Sequence, residues 1–138
     1  MGKTLLEKMG FKPGTTGWVR DRPEGLVDVL PLPDASAEQH PALILSFVAM
    51  RDQVSPALAA VLPRYARGKA LWFAYPKKSG AIRSDMTRDA GWDALLAVDL
   101  LPVTQVAIDD DWSALRFRYR DEIARLTRRT EMPGPRDA

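Results

Sequence analysis

Six apolar residues, Ala70 to Tyr75, run without alternation between Gly68 and Pro76. Such a run is long enough for a strand buried on both faces and too short for a buried helix. Ala42 to Val48 repeats the pattern and predicts a second buried strand. Between the two, Leu58, Val61, Leu62 and Tyr65 fall on one helical stripe, which predicts a helix over about 55–67. Pro56 is tolerated in its first turn, Pro63 kinks or splits it, and Gly68 closes it.

Around this centre the remaining pattern is weaker. Lys3 to Met9 predicts a helical turn or two stopped by Gly10, Thr15 to Val19 a short strand, and Leu26 to Leu30 a further turn. Residues 31–41 carry three prolines and predict a loop. Past the central strand, Met86, Ala90, Ala94, Leu95 and Val98 recur at helical spacing behind a Ser84 or Asp85 cap. Val103 to Ile108 reads as a strand, Asp109-Asp-Asp-Trp112 as a turn, and Ser113 to Tyr119 as a half-exposed antiparallel edge strand. A last helix is expected over about 121–129. The order predicts an α/β fold: a single, mostly parallel sheet with flanking helices and a C-terminal antiparallel hairpin. Residues 1–130 are expected to form one domain and 131–138 a flexible tail.

Composition narrows the chemistry. With 138 residues the chain can bury a full core, and with no cysteine it has no disulfide, thiolate or redox motif. Its only histidine, His40, stands beside Pro41 in the Pro-rich segment and is read as a solvated loop residue. No apolar run approaches a membrane span and no leader pattern opens the chain, so a cytoplasmic protein without membrane contact is expected. Net charge is only +2, but from Arg116 onward seven arginines face four acids. Alternating arginine and aromatic residues can grip nucleic acid. Asp121, Glu122 and Glu131 interrupt the run, and a solvated face is the preferred reading.

A glycine-closed helix, a strand, a helix and a final hairpin resemble, in that order, the C-terminal half of a class I methyltransferase-type frame. The resemblance implies a truncated Rossmann-like fold. The loop Arg20-Asp-Arg-Pro-Glu-Gly25 lacks the glycine-rich cradle of that frame, so no cofactor is expected; the fragment Gly2-Lys3-Thr4 has no strand before it and is discarded as a phosphate loop. More closely, Ala70-Leu-Trp-Phe-Ala-Tyr-Pro-Lys-Lys78, Ser84-Asp-Met86 and Asp111-Trp-Ser-Ala-Leu-Arg116 resemble a small bacterial family known only as domain of unknown function three thousand fifty-two. That resemblance runs from Met9 to Phe117 and implies no established activity.

In an open parallel sheet, ligands sit at the carboxyl edge of the strands. The loops expected there carry Arg20, Arg22, Arg51, Lys77, Lys78 and Arg83, with Asp111 and Trp112 in the turn of the hairpin. These eight residues are the candidate ligand site, and its ligand an anion. The bland alternative pairs the cations with Asp21, Asp52, Asp85 and the aspartate cluster. The preferred function is a non-catalytic binding or regulatory module with an unknown protein partner. The alternative is an enzyme or ligand-binding protein for a phosphate- or nucleotide-containing small molecule, with an aspartate of 109–111 as base and Lys77 or Lys78 as stabiliser. A triple aspartate can also hold magnesium with a phosphate, but an aspartate-rich turn is the commoner case and no metal is expected.

Overall fold

The computed structural model describes residues 4–34 and 38–123. Five strands, β1 (Gly17–Arg20), β2 (Leu43–Phe47), β3 (Ala70–Pro76), β4 (Leu100–Ala107) and β5 (Trp112–Tyr119), form one sheet in the order β1-β2-β3-β5-β4. Parallel pairing is confined to β1–β2 and β2–β3. The longer ladders, β3–β5 and β5–β4, are antiparallel.

This corrects the expectation of a mostly parallel, Rossmann-like sheet with flanking helices. Among the described residues helices are few and short: α1 (Leu5–Lys8), α2 (Val54–Val61) and α3 (Asp93–Leu96), with helical residues again at 120–123. Pro63 ends α2, and the chain continues through one 3-10 turn, Leu62–Arg64. The helix predicted behind Ser84 shrinks to α3, because Gly91 takes a left-handed φ of 104° in the middle of it. A Cβ at Gly91 would lie 2.6 Å from the Met86 sulfur, so Met86 is buried by an irregular loop folding back on itself. The helix expected over 121–129 and the tail over 131–138 lie, beyond Ile123, outside the described residues.

The second correction concerns β5, which was expected at an edge and lies inside the sheet. Its alternating arginines do not face open solvent: Arg116 is half-buried, and Arg118 lies 3.9 Å from the buried Glu122 carboxylate. The edge is β4, largely exposed, with Pro102 and a register shift between Pro102 and Thr104. Proline has no N–H to offer a further strand, so both features blunt an edge that would otherwise invite pairing.

Side chains leave β3 alternately to two cores. Leu71, Phe73 and Tyr75 meet Ile44, Leu115 and Phe117 under α2, with Met86, Trp92 and Leu95 completing that layer. Ala70, Trp72 and Ala74 meet Leu43, Leu45, Phe47 and Val19 on the other face, beneath Met9, Leu26, Leu30 and Leu32. Both faces of β2 and β3 are therefore apolar, which is why their sequences do not alternate.

One polar residue ties the C-terminal segment to this core. The Glu122 carboxylate, 6 % exposed, accepts from the Tyr65 hydroxyl (2.7 Å), Gly68 N (3.0 Å) and Tyr119 N (2.8 Å). Burial, reinforced by that carboxylate, raises the Tyr65 phenol above its ordinary value. A group whose folded pKa is raised binds its proton more tightly when folded, so its contribution is complete below the ordinary phenol value, about 10, and is lost as pH climbs beyond it. Denaturant unfolding between about pH 9 and 11 should show stability falling above about 10. Tyr65→Phe should flatten that fall without abolishing it, because Tyr75 is raised in the same direction, chiefly by burial. An unchanged slope in the variant would contradict the assignment.

Candidate functional site

Residues 77–92 leave β3 and reach α3 without regular structure. Loops of that length inside a compact domain are uncommon and carry function disproportionately. This one is pinned at several points. Lys77 N donates to the Asp111 carbonyl and Ala81 N to the Asp111 carboxylate, both at 2.8 Å. Gly80 is required there, since a Cβ would fall 2.8 Å from the Asp111 Cα. Further along, the Ser84 hydroxyl donates to the Ala49 carbonyl, Arg51 N to the Asp85 carboxylate (2.7 Å), and Trp92 Nε1 to the Thr87 carbonyl (2.9 Å).

Between this loop and the end of the β3–β5–β4 sheet lies a groove of about 510 Å³. Tyr75 and Ser113, directly opposite each other on β3 and β5, form its floor. Lys77, Lys78 and Ser79 line it from the start of the loop, and Thr87, Arg88 and Asp89 from its middle. Arg88 Nε donates to the Gln105 amide oxygen on β4 (3.0 Å), which ties the loop across the groove. Among the described residues the lining thus holds three cations and one acid, and that acid, Asp89, is paired with Arg88 at 3.1 Å. Burial raises the Tyr75 phenol while its hydrogen bond with Ser113 opposes the shift, so it serves as a neutral hydroxyl. Charge-assisted donors and hydroxyls around a groove of this size are the equipment for an oxyanion group.

Of the eight residues singled out by sequence, the structure brings Lys77 and Lys78 together here. The others stand elsewhere. Arg20 pairs with its neighbour Asp21 (3.1 Å), and Arg22 Nη1 donates to the carbonyls of Leu30 (2.8 Å) and Leu32 (2.6 Å), holding the loop that covers one core. Arg51 Nε donates to the Asp85 carbonyl (2.9 Å), and Arg83 is exposed outside the groove lining. Asp111 anchors the loop as described. Trp112 is buried against Phe47 in an edge-to-face contact at 5.0 Å. The aspartate cluster is turn chemistry: one Asp109 oxygen accepts from Asp111 N (2.8 Å) and Trp112 N (2.9 Å). Among the described residues no group of three or more acidic or histidine side chains is placed to hold a metal ion.

Arg88, Thr87 and Gln105 were missed. The signal available was Gly91, which argued against a helix running through Arg88 and for a loop presenting it. Two described arginines of the basic segment are engaged locally as well, Arg118 near Glu122 and Arg120 with Asp99 at 3.4 Å. His40 is exposed, its Nδ1 3.0 Å from the Arg64 carbonyl oxygen. No helix among the described residues is long and apolar enough to cross a membrane. No family model matches the chain, and no curated protein matches it.

Proposed function

We propose that the protein is a non-catalytic binding module for an anionic, phosphate-containing small molecule, held in the groove between the 77–92 loop and the sheet. The observation that carries this reading is the excess of Lys77, Lys78 and Arg88 over one already paired carboxylate. Tyr75, Ser79, Thr87 and Ser113 add hydroxyls that can donate to phosphate oxygens. Arg88, with Nε on Gln105 and Nη1 on Asp89, keeps Nη2 as a positioned donor, whereas the two lysines act as mobile point charges. A general base would have to stand within hydrogen-bond reach of a substrate hydroxyl or water. The one carboxylate in the lining is committed to Arg88, so binding without chemistry is the reading that fits these side chains.

The test is a set of melting curves for the parent and a Lys77→Ala, Lys78→Ala double variant, with and without inorganic phosphate or adenosine monophosphate, at low and high salt. A ligand at ten times its Kd stabilises by about 1.4 kcal/mol, roughly 4 °C for a domain of this size. The parent should show that shift at low salt and a smaller one at high salt. The variant should lose most of it while its unliganded melting temperature stays within about 1 °C, because exposed charges contribute little to stability. Equal shifts in both proteins would reject the groove as the site.

A further inference from the structure

At the other end of the strands, where β2 and β3 begin, lies a smaller cavity that the groove reading does not use. It measures about 190 Å³, and its charged lining is Lys12, Lys69 and Arg116, with Gly10, Gly68 and Thr15 beside them. No acid lines it. Arg116 stands on the interior strand β5, between Trp72 on β3 and Thr104 on β4. Its Nε is buried without an acceptor, and its Nη2 reaches only the Lys69 carbonyl, at a long 3.4 Å. Guanidinium N–H groups taken out of water without partners cost free energy, and the usual remedy is a carboxylate. Glu122, whose charge acts on Arg116, does not provide it: both its oxygens are committed to Tyr65, Gly68 and Tyr119, and Arg118 lies beside them. Arg118 instead adds a like charge to the surroundings of Arg116.

The backbone leaves room for a ligand. Gly10 and Gly68 both adopt left-handed φ, 92° and 91°. A Cβ on Gly10 would sit 3.7 Å from Arg116 Nη1, and one on Gly68 would meet nothing within 4 Å. Neither glycine therefore crowds the cavity, and Gly10 stands beside the guanidinium.

We propose that this cavity is a second, independent anion site, in which Arg116, Lys12 and Lys69 bind a small oxyanion, a phosphate or a carboxylate group. Its volume, about 190 Å³, accommodates one such group. Arg116 supplies the positioned donors, and the two lysines close the charge around the anion.

The Arg116 Nε–H resonance in a proton–nitrogen correlation spectrum at low salt reports the site directly, titrated separately with inorganic phosphate and with acetate. A saturable shift with phosphate alone assigns the site to phosphoryl groups, with acetate alone to carboxylates, and with both to either. Lys12→Ala with Lys69→Ala, both away from the core, should weaken that response roughly tenfold, equivalent to about 1.4 kcal/mol. Lys77→Ala with Lys78→Ala should leave it unchanged, which separates this cavity from the groove. An Arg116 signal that neither anion moves, or that moves with equal affinity in the Lys12 and Lys69 variant, overturns the proposal.

Discussion

Trp72→Ala is expected to remove about 4–5 kcal/mol of stability, enough to leave the chain at the margin of folding. Trp72 lies at the middle of β3, 1 % exposed, with strands on both sides and the Met9 to Leu32 layer above it. Removing the indole opens a cavity walled by strand backbone, which relaxes least of all core surroundings. It also strips the Met9 carbonyl of the donor it accepts from, Trp72 Nε1 at 3.0 Å. Trp72→Phe separates the two effects: it keeps most of the volume, loses the hydrogen bond, and should cost about 1–2 kcal/mol. Urea unfolding followed by far-ultraviolet circular dichroism measures both. A loss below about 2 kcal/mol for the alanine variant would mean the two layers do not meet across this strand as described.

Glu122→Ala should cost about 3–4 kcal/mol, a large loss for a charged residue so near the end of the described chain. Three donors lose their acceptor at once, and the Tyr65 hydroxyl, whose residue is only 6 % exposed, has little water to turn to. Glu122→Gln keeps the shape and one carbonyl oxygen, so it should fall between parent and alanine. Combining Tyr65→Phe with Glu122→Ala should give less than the sum of the single losses, because both remove the same bond. Additive losses would show that the pair does not interact.

How far the chain could be read varied with the physical signal available. β2 and β3 were readable because a strand buried on both faces takes a near-continuous apolar run: Ala70–Pro76 has one, and Leu43–Phe47 has one broken only by Ser46. The stretch from Ser84 to Val98 misled because burial at Met86 and Leu95 fits a helical period whether or not a helix delivers it. Gly91 outweighed five spaced apolar residues, and Val98, expected inside, is exposed. β5 misled for a related reason. Alternation marks which face a residue takes, not whether its strand has neighbours on both sides, and Pro102 was the better indicator of the true edge. Little of the candidate groove was readable: of the eight residues singled out only Lys77 and Lys78, which follow directly on β3, line it. Arg88 and Gln105 join them only because β5 inserts between β3 and β4, and no local pattern encodes that insertion.

That insertion also orders the way the sheet must assemble. β4 has no partner except β5, and β3 has no neighbour on that side except β5. The β4–β5 hairpin closes over only four residues, Ile108 to Asp111, whereas the ladder joining it to β3 brings Pro76 against Trp112. Loop closure is cheapest for the hairpin, so it forms as a local unit and docks as a whole through β5. On a growing chain β3 therefore keeps an open flank until β5 has been made. The floor of the groove, Tyr75 beside Ser113, comes into being at that final docking step and at no earlier one.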